Sequence, residues 1–284
     1  MTLSKEAISQ YQAATFRTLP GTHLTSATQA VEFVNQRGFV MFWPVKEITM
    51  PSLWTAVAGN RPVADGHDDP GHVTWGWKDD LLGKGRWYYG RVLRKRNTFI
   101  SLEMLPSFYA LSPNYGDPHE DYLIEYEQGQ LTLGAKMLYE ALLRDGPQDS
   151  IALRKAARLT GNDSEFNRAL ETLQTTFRVL PVGVSQAGAW HYSFIYDIVA
   201  HHFPHLQAQA RPISEFEARR NLITCYLASV GAAREKDVQR LFGWPLSVVQ
   251  REISKLAEQG ALRAGVELPD EKGEWLLSPL LVAE

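Results

Sequence analysis

Apolar residues recur along this chain at two spacings, and the switches between them predict its elements. In "TSATQAVEFVNQRG", Ala30, Val31, Phe33 and Val34 recur at helical spacing. Thr25 or Ser26 stands where an N-cap is wanted, and Gly38 stands where a helix stops. "GFVMFWPVKEI" (38–48) follows, a dense apolar run ended by Pro44 and predicted as a buried strand holding Phe39, Val40 and Phe42. Strand alternation would turn Met41 and Trp43 to the other face together. A short helix, "SLWTAVA", follows Pro51, and "NRPVADGHDDPGH" is a loop by its turn-forming residues. "GRVL" and "TFISLEM" then predict strands, with "RKRN" between them as the basic tip of a β-hairpin.

The second half repeats itself. "SIALRKAARLTGNDSEFNRALETLQTTFRVLPVGV" is similar to "EKDVQRLFGWPLSVVQREISKLAEQGALRAGV". Gly161 and Gly243 stand at the same separation as Val184 and Val266, and Leu173 and Leu256 one residue further apart. Each copy predicts a helix, a glycine turn, an amphipathic helix and a strand. A second strand follows, "AWHYSFIY" in one copy and "GEWLLS" in the other. A helix precedes each copy: "TLGAKMLYEALLRDG", and "SEFEARRNLITCYLASVG" with Ser214 and Glu217 at capping-box spacing. Helix–turn–helix plus a two-stranded ribbon is the winged-helix layout. The first third fits a more divergent copy, with helices near 26–37 and 51–58 and the basic hairpin near 88–104 as its wing.

Composition adds limits rather than a function. The 284 residues are 44% hydrophobic and 21% charged, a globular balance. No apolar run approaches the ~18 residues of a membrane span, and "MTLSKEAISQYQ" has no signal-peptide core, so a cytoplasmic protein is expected. The lone cysteine, Cys225, excludes an internal disulfide and a Cys-rich zinc site, and its apolar helical setting predicts core filler. A net charge of −3 argues against a generic polyanion binder, so local charge decides. P-loop, dinucleotide and nucleophile-elbow motifs are lacking, and no cofactor or metal is expected.

The basic hairpin is the strongest local signal. Lys84, Arg86, Arg91, Arg94, Lys95 and Arg96 occur without an acid among them, around Trp87, Tyr88 and Tyr89. Such cations neutralise phosphates, and such rings stack on bases or wedge into a step. The plainer alternative is a solvated hairpin with its rings in the core. Arg219, Arg220 and the stretch from Arg234 to Arg240 give weaker positive faces, which fit solvated helix surfaces equally well. The acidic "GDPHEDYLIEYEQG" fits an exposed helix start better than a pair of catalytic carboxylates. "GHDDPGH" (His67, Asp68, Asp69, His72) has the ligand types of a metal site but also ordinary turn chemistry, and Pro204 in "AHHFPH" disturbs any alignment of His201 with His205.

Tandem copies carrying "GPQDSIALRKAARL", "ALETLQTTFRVLPVGV" and "EARRNLITCYLASVGAAREKDVQRLFGWP", with "HVTWGWKDDLLGKGRWYY" earlier, resemble the AlkZ/YcaQ-type DNA glycosylases, and most closely their AlkZ-related branch. The likeness spans about residues 26 to 278. It implies three tandem winged helices, followed in the known enzymes by a β-barrel for which this chain leaves no room. It also implies hydrolysis of the N-glycosidic bond of damaged bases, by a Gln-x-Asp or Gln-x-Gln motif lying just after the first apolar helix and a glycine. There this sequence has Met41 and Trp43, neither of which orients a water or stabilises a sugar cation as a carboxylate does.

The expected fold is therefore mainly α with small β-hairpins, an α+β chain of tandem winged helices without a barrel, divided as 1–116, 117–205 and 206–284. The expected function is binding of double-stranded, possibly damaged, DNA through the hairpin residues, in repair or transcription, without base excision. Two alternatives stay open. One is an active glycosylase using Glu47, Asp68 or Asp69; the other is a protein-interaction scaffold that does not bind DNA.

Overall fold

The computed structural model describes residues 4–114, 116–161, 163–188, 191–269 and 271–282. Its first helix, α1 (Lys5–Thr15), is not among the predicted elements, and of its side chains only Ile8 is buried. Docking holds it: Tyr11 OH donates to the Ala228 carbonyl at 2.8 Å and Gln12 Nε2 to that of Val230 at 3.0 Å.

Helix α2 (Ala27–Arg37) has the predicted cap, the Ser26 hydroxyl accepting from Gln29 N–H, and ends at Gly38 with φ +73°. Only glycine fits there. The conformation is left-handed, and a Cβ would run into Cys225 Sγ on the later helix Glu215–Val230. That close approach lets the Cys225 thiol (3.2 Å) and Ser229 hydroxyl (3.4 Å) donate to the Arg37 carbonyl, one of the last carbonyls of α2. Burial pushes the Cys225 thiol up to about 12, so it donates a hydrogen bond and is no nucleophile at neutral pH. Gly38→Ala is expected to lower stability by about 2 kcal/mol in denaturant unfolding, and an unchanged midpoint would refute this close packing.

The chain continues through β1 (Phe39–Met41), α3 (Leu53–Ala58), α4 (Val73–Leu81), β2 (Tyr88–Arg91) and β3 (Asn97–Ile100). The linkers α5 (Leu105–Tyr109) and α6 (Asp121–Glu127) lead into α7 (Leu133–Asp145), β4 (Gln148–Asp149), α8 (Ser150–Ala156), α9 (Asp163–Thr175), β5 (Val179–Ser185) and β6 (Ser193–Ile198). After α10 (Val199–His202) and α11 (Leu206–Ala210) come α12 (Glu215–Val230), β7 (Ala232–Ala233), α13 (Glu235–Phe242), α14 (Leu246–Glu258), β8 (Arg263–Glu267), β9 (Glu274–Leu277) and α15 (Pro279–Val282).

The order helix, strand, helix, helix, strand, strand therefore occurs three times. Each time it builds an antiparallel three-stranded sheet with the last strand in the middle, ordered β1-β3-β2, β4-β6-β5 and β7-β9-β8. This is the expected α-rich class with small hairpins, and among the described residues no sheet closes into a barrel. Nor is any described helix long and apolar enough to cross a membrane.

The first sheet is buried on both faces, which explains the unbroken apolar run at its start. Phe39, Met41, Tyr88 and Ile100 enter a core shared with Phe177 and Leu180 and with Leu222, Tyr226 and Val230 of α12. Val40, Phe42, Tyr89 and Phe99 face the other way, onto Phe33, Val34 and Leu53. Met41 thus shares a face with Phe39 and lies in the core.

The acidic stretch also differs from the expected exposed helix start. Asp117, Glu120 and Glu127 are exposed, but Asp121 and Glu125 turn inward. Glu125 pairs with Arg178 at 2.7 Å, their side chains 5% and 2% exposed, and Asp121 accepts from Gly116 N–H at 2.6 Å. A charge that deep needs its partner, and Arg178 lies too far along the chain for local pattern to reveal it.

Candidate nucleic-acid interface

β2 and β3 pair in register from Tyr88 with Ile100 to Arg91 with Asn97. The tip between them is a 3-10 turn over Leu93–Lys95. Arg94 and Lys95 both have positive φ, +51° and +58°. A tight hairpin asks for this geometry and usually meets it with asparagine or glycine. Two long cations here carry a backbone strain of roughly 1 kcal/mol or more each, and both are exposed.

The hairpin rings do not have the role sketched for them. Trp87, Tyr88 and Tyr89 are 4%, 0% and 3% exposed, so no base can stack on them. Trp87 and Tyr89 pack on Phe99 (4.7 and 4.8 Å between ring centroids) and Tyr88 on Phe177 (5.1 Å). Consecutive residues alternate between faces, and both faces of this sheet are interior.

The cations divide into two groups. Lys84 and Arg86 precede β2, at the open end of the hairpin. Arg91, Lys95 and Arg96 line a cleft of about 360 Å³ together with Asn97, the segment from Trp43 to Lys46, and Glu171 of α9. Lys95 pairs with Glu171 at 2.8 Å, and the Arg91 guanidinium lies 3.8 Å from the same carboxylate. Four cations against one carboxylate leave the cleft positive on a chain that is negative overall. Arg94 leans the other way, toward Gly243 at the C-terminal end of α13, where helix carbonyls favour a cation.

Trp43 reaches the cleft because the strand stops early. β1 ends at Met41, and the chain bends where Phe42 N–H donates to the Asn97 carbonyl (2.9 Å) and Trp54 N–H to that of Phe42 (3.1 Å). Met41 is 1% exposed, with Thr98 Oγ1 3.9 Å from its sulfur, and does not line the cleft. Alternation assigned both residues to one face; the bend separates them.

The carboxylates proposed from sequence stand outside the cleft lining. Asp69 caps the turn Pro70–His72 and pairs with Arg61 at 2.6 Å, which with the Gly71 N–H holds it below the usual carboxylate range. Asp68 is exposed beside it. Glu47 is exposed, and its backbone carbonyl accepts from Arg240 at 3.0 Å. Within the weaker positive faces, Arg219 pairs with Glu215, Arg220 with Glu252 and Arg234 with Glu271. His201 and His202 each lie 3.0 Å from Asp197.

Two features carry no signal in the sequence pattern. One is Glu171, an unremarked polar position on an amphipathic helix. The other is Lys78 on α4, whose side chain is fully buried. Its ammonium lies 2.7 Å from Asp79 and 2.9 Å from Tyr192 OH, and 4.4 and 4.7 Å from the ring centroids of Phe194 and Trp75. Burial lowers the Lys78 ammonium from its ordinary value, opposed by the Asp79 carboxylate. The cluster ties the first repeat to the β5–β6 ribbon of the second and the residue just before β6.

The whole chain superposes on the DNA glycosylase AlkZ of Streptomyces sahachiroi with a TM-score of 0.61, at 14% sequence identity and over 72% of that chain. At that identity the likeness is one of fold. No curated protein matches the sequence. The family model described as AlkZ related matches residues 24–243, from the start of the first repeat into the third, and the chain belongs to that family.

Proposed function

We propose that this protein binds DNA through the cleft beside the hairpin tip and lacks the base-excision chemistry of the glycosylases it is related to. The observation that carries the reading is the cleft itself. Trp43 stands in it among Lys46, Arg91, Lys95 and Arg96, while Met41, at the other position matched to the catalytic pair, is sealed in the core. The cations suit phosphates and the tryptophan suits a base, but neither Met41 nor Trp43 can hold a water against a sugar. Helix α9, in the recognition-helix position of the second repeat, carries Asp163, Glu165 and Glu171 against the single base Arg168, so the tip is the better phosphate contact. The segments 1–116, 117–205 and 206–284 serve in this reading as three structural repeats, the first two of which line the cleft, within DNA repair or transcription.

An active glycosylase is the second reading, and Glu171 favours it over the carboxylates first considered, because Glu171 lines the cleft. The two readings separate in one assay. DNA treated with a methylating agent is incubated with the protein and released bases are measured, while binding is followed on the same samples. The expected result is binding without release. Release that disappears in Glu171→Gln would overturn the non-catalytic reading.

A further inference from the structure

With Trp87, Tyr88 and Tyr89 buried, base stacking needs other rings. We propose that Trp75, in contact with Trp43 and Tyr192, is a stacking platform for unpaired bases of a DNA strand whose phosphates lie in the neighbouring cleft. The proposal rests on the DNA-binding reading above and specifies the form of DNA that the site takes.

Trp75 is 41% exposed, and it is the one exposed tryptophan among the described residues. Its ring centroid lies 6.1 Å from that of Trp43, which lines the basic cleft, and 6.0 Å from that of Tyr192. The three rings are therefore linked by successive contacts, and one of them, Trp43, lines the basic cleft.

The rings are also fixed in place. Trp75 Nε1 donates to Tyr192 OH at 3.2 Å, Tyr192 OH donates to Asp79 at 2.9 Å, and the Lys78 ammonium sits over the Trp75 ring. An exposed ring anchored through three partners loses little freedom when a base settles on it, whereas a loose one must be ordered first.

The chemistry selects unpaired bases. Inside a duplex both faces of a base are covered by its neighbours, and only a strand end, a bulge or a single strand offers a free face. Base–aromatic stacking beside a positive groove is the way sequence-tolerant single-strand sites are built. A partner protein would need carboxylates placed beside its apolar contacts to use the four cations as well. A nucleic-acid strand uses both.

The test measures anisotropy of a labelled oligo-dT strand and of a blunt duplex of equal length, with wild type, Trp75→Ala and Trp75→Phe. Trp75→Phe loses the hydrogen bond to Tyr192 but keeps a ring. Expected are tighter binding of the single strand by wild type and a loss of roughly 10-fold for that strand in Trp75→Ala. The blunt duplex loses much less, and Trp75→Phe recovers most of the loss. Circular dichroism melts confirm that both variants fold. Equal affinity for strand and duplex, unchanged in Trp75→Ala, overturns the platform and leaves the DNA-binding reading standing. No binding to either DNA overturns both.

Discussion

Replacing Arg94, Lys95 and Arg96 together by glutamate lowers affinity for duplex DNA by roughly 100-fold or more at low salt. The three residues cap an exposed hairpin tip, and Lys95 and Arg96 line the cleft. With a net charge of −3, the rest of the molecule repels a polyanion, so the local cluster has no reserve behind it. Neutral variants give the cleaner measure. If all three contact phosphates, converting them to alanine reduces the salt dependence of binding by up to about 3 log units of affinity per log unit of salt. Lys95 also pairs with Glu171, but at 64% exposure that pair adds little to stability, and unfolding curves should stay close to wild type. Anisotropy across a salt series is the measurement. Unchanged affinity and slope in a folded variant would remove the hairpin tip from the interface. Capture of a protein partner that survives the substitutions would favour the scaffold alternative instead.

Lys78→Ala destabilises the fold by about 3 kcal/mol, a fall in Tm of roughly 5–10 °C. The side chain is wholly buried, so truncation leaves a cavity, and the ring contacts to Phe194 and Trp75 go with the ammonium. Asp79 then loses its 2.7 Å partner while still only 15% exposed. Lys78→Met keeps the length of the stem but not the charge, and recovers roughly half of the loss. Because Tyr192 and Phe194 belong to the second repeat, the damage extends beyond the first, and the Trp75 ring loosens with it. Calorimetry on the three proteins tests this. A change below ~0.5 kcal/mol in Lys78→Ala would mean that the cluster opens to water in solution.

Much of this architecture is legible in the chain. Ser26, Gly38, Ser214 and the duplicated second half announce their helices and ribbons because caps, stops and periodicity act within a few residues. The hairpin and its charged tip are read the same way, although its strands run over 88–91 and 97–100 rather than over "GRVL" (90–93) and "TFISLEM" (98–104). Two kinds of element escape. Helix α1 and helix α4 have weak patterns of their own; the first is held by hydrogen bonds to α12, and the second buries a lysine where an apolar residue is expected. The short strands β4 and β7, two residues each, exist only as edges for the ribbons beside them.

The cleft divides along the same line. Sequence by itself determined the repeats, the family and the density of cations near residue 95, since each is a local or additive property of the chain. Which rings face water was decided only by tertiary structure. Trp87, Tyr88 and Tyr89 look like stacking residues until both faces of their sheet are found covered, one by the helices of the first repeat and the other by α12 and the second repeat. Trp43 and Met41 look like a pair until the strand ends between them. Burial depends on what the rest of the chain brings to each face, and contacts between residues far apart in sequence leave no periodic trace. Glu171 and Tyr192 therefore joined the candidate site, and Asp68 and Asp69 left it, only once the repeats were packed together.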